Sequence, residues 1–160
     1  MKVTAIEVSD PHDIEKPFVT QIFASATGFA FPSGAGLRFS PFGQRQSYVE
    51  SYAQLSKRAL PERLPSPLQT SIVAQVELPS GWIATLPEDV RESGPQGSYQ
   101  VSYTHQPGKV MARLEVTLSG GLLLPGEYGA FRAFLGRLDE ALQRRVEALP
   151  AQTASARDVR

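Results

Sequence analysis

The stretch from Ser71 to Leu149 decides the fold, and from Ser98 onward it reads SYQVSYTHQPGKVMARLEVTLSGGLLLPGEYGAFRAFLGRLDEALQRRVEAL. Apolar residues occupy every second position from Val110 to Leu118, a pattern that predicts a strand with one buried face. Tyr99–Tyr103 alternates in the same way. The intervening Gln106-Pro107-Gly108-Lys109 is typical of a tight turn, because proline fixes one backbone dihedral and glycine permits a positive one. The sequence therefore predicts an antiparallel hairpin here.

A long helix is predicted after this hairpin. The segment Leu124-Pro125-Gly126-Glu127-Tyr128 is typical of a helix start, because a first-turn proline loses no hydrogen bond and Glu127 suits the positive end of the helix dipole. Apolar residues then recur at steps of three or four, which predicts one apolar face. They are Tyr128, Phe131, Leu135, Leu138, Leu142, Val146 and Leu149. Pro150 is expected to end the helix, which is thus predicted over residues 126–149.

Alternation predicts further strands upstream of the hairpin. They are Lys2–Val8, Phe18–Ala24, Leu37–Phe39, Ser71–Leu78 and Trp82–Leu86. The segment from Tyr48 to Leu60 suits either helical spacing or alternation, and we predict a turn-rich region with short strands. The expected fold is α+β and mainly β: an antiparallel β-sandwich or strongly twisted sheet packed by one long C-terminal helix. We expect a single domain over residues 1–150 and a flexible tail over residues 151–160.

Composition excludes several classes of function. The 160 residues include 16 basic and 16 acidic side chains, and this balance argues against a nucleic-acid partner. The chain has no cysteine, so disulfides, thiolate zinc sites, iron–sulfur clusters and cysteine nucleophiles are excluded. No apolar run approaches the roughly 20 residues that span a bilayer. The first residues lack the apolar core of a signal peptide, so no export signal is expected in this chain.

Candidate metal and catalytic residues are few. Asp10-Pro11-His12-Asp13 combines carboxylates with an imidazole, but no second histidine is near in sequence, and turn chemistry is favoured. His105 ends a predicted strand, and no Gly-x-Ser-x-Gly motif offers it a nucleophile. We therefore predict no catalytic residue, no metal and no cofactor.

The glycine and carboxylate pairs also favour structural roles. Gly34-Ala35-Gly36 and Gly120-Gly121 lack the sequence context of a phosphate-binding or dinucleotide-binding loop, and we expect turns there. Glu88-Asp89 and Asp139-Glu140 are adjacent pairs, whose side chains point apart on a strand or helix. We expect these carboxylates to lie in solvent.

Phenylalanines are concentrated in the N-terminal part of the chain, where they allow two interpretations. Phe29, Phe31, Phe39 and Phe42 either belong to a β core, the more common fate of such residues, or line an apolar groove. The groove leads to an alternative function, a ligand-binding protein or an enzyme that uses a Phe-rich N-terminal groove.

Residues 70–149 resemble a known bacterial domain. The resemblance rests on four segments: Val76-Glu77-Leu78-Pro79-Ser80-Gly81-Trp82, Leu86-Pro87-Glu88-Asp89-Val90, Gly97-Ser98-Tyr99, and the helix start from Leu124 to Phe134. These segments are similar to the uncharacterised C-terminal domain that follows a transglutaminase-like core in large bacterial multidomain proteins. The catalytic Cys, His and Asp of those proteins lie in the core, and this chain has no cysteine.

The resemblance implies a non-catalytic accessory or interaction module. Its partner would be a neighbouring domain, another protein or an envelope polymer. The compartment would be the periplasm or envelope if the chain belongs to such a protein, and the cytoplasm otherwise. Self-association through an edge strand or the helix is a further possibility that the sequence leaves open.

Overall fold

A computed structural model describes residues 2–12, 15, 18–25, 28–43, 47–64 and 67–151. The chain divides into two compact units, Met1–Phe31 and Pro32–Arg160. The single domain predicted over residues 1–150 stays a prediction. Most of the predicted tail, residues 152–160, lies outside the described residues.

The first unit is built on a hairpin of two antiparallel strands. Strand β1 (Lys2–Val8) pairs with β2 (Thr20–Ser25), with an irregularity between Val3 and Ala5. This agrees with the alternation in the sequence. The side chains of both strands are exposed, so the described part of the hairpin contributes nothing to a buried core.

The remaining strands and both helices follow along the chain and belong to the second unit, apart from Phe31 at the start of β3. The strands are β3 (Phe31–Ser33), β4 (Gly36–Phe39), β5 (Glu62–Leu64), β6 (Leu68–Glu77), β7 (Trp82–Thr85), β8 (Val90–Gly94), β9 (Gly97–Gln106), β10 (Lys109–Leu118), β11 (Gly121–Leu123) and β12 (Val146–Pro150), and the helices are α1 (Tyr48–Tyr52) and α2 (Pro125–Leu142). One four-stranded sheet has the order β6-β10-β9-β8, and a second has the order β3-β4-β12-β7. Strands β5 and β11 form a short ladder.

The predicted hairpin is the centre of the first four-stranded sheet. Strands β9 and β10 pair in continuous register from Gln106↔Lys109 to Gly97↔Leu118. The inward residues of β10 are all buried, as their alternation predicts: Val110, Ala112, Leu114, Val116 and Leu118. Tyr99, Val101 and Tyr103 of β9 are buried as well.

Helix α2 begins as predicted and supplies much of the core. Pro125 lies in its first turn, and the side chain of Glu127 accepts a hydrogen bond from the backbone N–H of Leu124 at 3.0 Å. Its apolar face is buried: Tyr128, Phe131, Phe134, Leu135, Leu138, Ala141 and Leu142.

The predicted end of this helix is wrong. Helix α2 stops at Leu142, not at residue 149, and the chain then forms β12 between β4 and β7. Two side chains of this strand, Val146 and Ala148, are buried in the core. Two neighbouring strands satisfy the backbone of β12 on both sides, and this tertiary pairing overrides the helical spacing of Val146 and Leu149.

The segment after residue 47 also differs from its prediction. Residues 48–52 form helix α1 instead of short strands, and the hydroxyl of Ser47 caps it by accepting a hydrogen bond from the N–H of Glu50. The fold class itself is confirmed: α+β, mainly β, with antiparallel sheets and a C-terminal helix. Among the described residues, no helix has the length and apolar character needed to cross a membrane.

Candidate functional site

Asp139 is the most heavily bonded carboxylate on α2. Its Oδ1 accepts a hydrogen bond from the N–H of Tyr48 at 2.8 Å, and its Oδ2 accepts one from the N–H of Val49 at 3.1 Å. The hydroxyl of Ser47 donates to the same carboxylate. Asp139 therefore caps the first turn of α1 from another helix, and its negative charge suits the positive end of α1. The prediction that Asp139 lies free in solvent is wrong.

A second cluster joins the sheet to α2 through Glu92, Tyr99 and Arg137. Arg137 donates two hydrogen bonds to the carboxylate of Glu92, from Nε to Oε2 at 2.9 Å and from Nη2 to Oε1 at 2.6 Å. The hydroxyl of Tyr99 donates to Oε2 at 2.9 Å. The ring of Tyr99 lies on Phe134 of α2, with 5.3 Å between ring centroids.

The protonation of this cluster is set by burial and by the ion pair. The hydrogen bond from Arg137 lowers the pKa of Glu92 below its usual value, against the opposing effect of desolvation. Burial, together with the hydrogen bond to Glu92, raises the pKa of Tyr99 to about 12. At neutral pH, Glu92 is therefore a carboxylate held by two donors, and Tyr99 is a protonated phenol. This state suits attachment of β8 and β9 to α2 better than it suits proton transfer.

Further polar contacts join segments that are distant in the sequence. The Oδ1 of Asp89 accepts a hydrogen bond from the N–H of Tyr103 at 2.9 Å, and Arg144 donates to the carbonyl of Glu88 at 3.0 Å. Burial raises the pKa of Tyr103. The hydroxyl of Tyr128 donates to the carbonyl of Leu55 at 2.9 Å.

The guanidinium of Arg58 lies over the Tyr128 ring, 5.8 Å from its centroid, and pairs with Glu62 at 3.0 Å. We call Glu92, Tyr99, Tyr128, Arg137 and Asp139 the α2 frame.

The predicted phenylalanine set is divided between the two units. Phe39 and Phe42 are buried core residues of the second unit. Phe29 is half-buried and Phe31 is 59% exposed, and both belong to the first unit. The burial of Phe39 and Phe42 agrees with the core interpretation, while the groove stays a prediction.

Asp10 and His12, from the predicted metal-like cluster, contact each other locally. The Oδ1 of Asp10 accepts a hydrogen bond from the N–H of His12 at 2.9 Å and lies 3.2 Å from the ring nitrogen Nδ1. Asp13 lies outside the described residues. In the part of the chain that the structure describes, no three His, Asp or Glu residues are arranged to hold a metal ion. His105 is exposed on β9, opposite Val110.

Two glycines have a steric requirement. A Cβ at Gly97 would collide with the carbonyl oxygen of Thr117, and its φ of +150° also disfavours other residues. A Cβ at Gly36 would collide with the carbonyl oxygen of Ala148 on β12. Gly97 belongs to the Gly97-Ser98-Tyr99 segment on which the resemblance partly rests. Close packing against β10 explains why this segment contains a glycine.

The α2 frame was missed from sequence because its partners are distant. Glu92 and Arg137 are 45 residues apart, and Asp139 is about 90 residues from the amides it binds. One local signal was available in the sequence. Ser47-x-x-Glu50 is a helix-start pattern, and Ser47 lies at the N-terminus of α1.

Comparison with known proteins gives one family. Neither the curated proteins nor the solved structures give a match. A family model does match residues 37–148, which include the hairpin, α2 and part of β12. The model describes a domain of unknown function, DUF3858, that has a solved structure. The match covers well over half of the chain, and the chain therefore belongs to the DUF3858 family of domains of unknown function.

Proposed function

We propose that this chain is a non-catalytic accessory module that docks on a neighbouring transglutaminase-like core. The observation that carries the proposal is the use made of the reactive side chains. Asp139 caps a helix, Glu92 is held by Arg137, and Tyr99 donates to Glu92. These groups hold elements of the fold together, and that is the role of a rigid support.

The choice of partner comes from the resemblance. All four segments that resemble the C-terminal domain of transglutaminase-like proteins begin within residues 76–124, inside the family match at 37–148. Such a module acts by presenting a preformed surface, because a support that is already ordered loses little conformational freedom on binding.

The test is to add the full chain in trans to a purified transglutaminase-like core that lacks its own C-terminal domain. We expect the two proteins to co-elute and the core to unfold at a higher temperature, because a partner that binds only the folded state stabilises it. The chain alone is assayed in parallel for acyl transfer from glutamine-containing peptides.

Two results would overturn the proposal. The absence of both co-elution and thermal stabilisation at high chain concentration would exclude docking on this class of partner. Turnover by the chain alone would contradict a non-catalytic role, provided that the turnover follows the chain through purification.

A further inference from the structure

Strand β6 has one edge that no strand among the described residues pairs with. It lies at one end of the order β6-β10-β9-β8, with β10 on one side and no described strand on the other. Its ten residues pair with β10 in continuous register, without a bulge. Long edges without a bulge are templates for another strand, and proteins commonly protect them with bulges, charges or prolines.

The direction of the free backbone groups follows from the pairing. The N–H of Leu78 donates to the carbonyl of Gly108 at 2.8 Å, toward the β9–β10 hairpin. Because these groups alternate along an antiparallel strand, the residues of the other parity direct their N–H and C=O groups away from β10. Those residues are Gln69, Ser71, Val73, Gln75 and Glu77.

Two prolines bound this edge symmetrically. Pro67 and Pro79 lie six residues on either side of Val73 and have the same parity, so neither presents an N–H to the open edge. The available edge is therefore centred on Val73. A second strand of the same sequence, running antiparallel about Val73, would place Gln69 opposite Glu77, Ser71 opposite Gln75, and Val73 opposite itself.

The charges and side chains suit this register. In this register Glu77 faces the uncharged amide of Gln69. The other residues at the seam between the two β6 strands, Ser71, Val73 and Gln75, carry no charge. The nearby charges on β10 are already balanced: Arg113 pairs with Glu115 at 3.0 Å, and Lys109 lies opposite Glu77. Val73 is 55% exposed on the outer face, and self-pairing would cover it with its own copy.

The inner face also continues across the seam. The inward residues of β6 are only half-buried, namely Leu68, Thr70, Ile72, Ala74 and Val76. The residues of β10 that they pair with are buried. In the register centred on Val73, Ile72 meets Ala74 and Thr70 meets Val76. The buried layer under β10 would extend to the partner's sheet.

We infer that β6 is a self-association surface through which two copies of this chain join their four-stranded sheets into one antiparallel eight-stranded sheet with a two-fold axis at Val73. The occupant is a second copy because the bounding prolines are symmetric about Val73, the exposed valine lies at the centre, and no like charges meet in this register. The inference does not rest on the proposed accessory function.

The register is tested by cysteine crosslinking of the full chain, which has no native cysteine. In the inferred pairing, the two Val73 residues form a hydrogen-bonded pair with Cα atoms about 5.5 Å apart, a separation that disulfides span. We expect Val73→Cys to form a disulfide-linked dimer under mild oxidation. A mixture of Ser71→Cys and Gln75→Cys chains should form the mixed dimer in preference to either self-linked one. Gln100→Cys, on the exposed face of the interior strand β9, is the matched control and should stay monomeric.

The strength of association is tested by sedimentation over a wide concentration range. We expect a monomer–dimer equilibrium in which Val73→Lys raises the dissociation constant at least about tenfold, because it opposes two like charges. Gln100→Lys should leave the constant unchanged. Circular dichroism and the unfolding midpoint show that each variant is folded.

The inference fails if the native chain is monomeric at all concentrations. It also fails if a dimer persists unchanged in Val73→Lys, or if Gln75→Cys self-links as readily as Val73→Cys. A monomer would leave the proposed accessory function intact, since docking on another protein is measured separately.

Discussion

Gly97 shows how the absence of a Cβ atom allows β9 and β10 to pack closely. It ends the β8–β9 turn with φ near +150°, and its missing side chain lets the backbone of β10 approach. We expect Gly97→Ala to lower the free energy of unfolding by about 2–4 kcal/mol, because the added Cβ meets Thr117 and Leu118 in a conformation that alanine disfavours. Urea denaturation measures the loss.

The matched control for this prediction is Gly94→Ala on the facing strand. Gly94 pairs with Gly97, but a Cβ there would have nothing within 4 Å and no positive φ to oppose. We expect a change of under about 1 kcal/mol. Equal losses for the two variants would show that the close approach at Gly97 is not the cause.

The raised pKa of Tyr99 predicts that the free energy of unfolding falls at alkaline pH. Its pKa is raised to about 12 in the folded chain, against 10.0 for an unperturbed tyrosine. The unfolded state therefore releases this proton first, so the stability that Tyr99 contributes is fully present below pH 10 and is lost as pH rises toward 12. We expect the stability difference between the native chain and Tyr99→Phe to shrink by about 1–3 kcal/mol across this range.

The measurement for Tyr99 is urea denaturation of both proteins at pH 8, 10 and 11.5. Other tyrosines and lysines titrate in the same window, but they are common to both proteins and cancel in the difference. A difference that stays constant with pH would contradict the raised pKa.

At the scale of elements, α2 holds the second unit together through its polar face as well as its apolar one. We expect Asp139→Ala to lower the free energy of unfolding by about 1–2 kcal/mol, because it removes the acceptor for the first turn of α1. Hydrogen exchange at the Tyr48 and Val49 amides should accelerate more than exchange in β10. Glu140→Ala, at the exposed neighbouring position, is the control and should change neither.

The elements differ in how far sequence determines them. The hairpin was predictable because the alternation of β10, the Pro107-Gly108 turn and the pairing with β9 all agree. The end of α2 was not, because Val146 and Leu149 satisfy helical spacing and Val146 and Ala148 satisfy strand spacing. Only β4 and β7, which lie about 110 and 65 residues earlier, decide between them.

The contacts of the α2 frame could not be predicted from the sequence for the same reason. The side chains of Arg137 and Asp139 appear on a polar helix face, where charges usually lie in solvent. Their partners come from β8 and α1, and pairing over such separations leaves no periodic pattern. The sequence did exclude cysteine chemistry, because composition alone decides that.

At the scale of the whole molecule, the second unit should fold without the first. Every buried apolar residue of the described chain lies at or after Phe39, and the family match begins at residue 37. We expect a chain of residues 32–160 to unfold cooperatively with a urea midpoint close to that of the full chain. Loss of cooperative unfolding in this fragment would show that residues 1–31 are needed for the core.

The position of β12 has a consequence for synthesis. Among the described strands it comes last in chain order, yet it lies in the interior of its sheet, between β4 from residues 36–39 and β7 from residues 82–85. A nascent chain that has not yet reached Val146 leaves β4 and β7 without the strand that lies between them, so this sheet is completed only after β12 has been made. A chain truncated before Val146 would therefore expose the edges of β4 and β7 and be prone to aggregate.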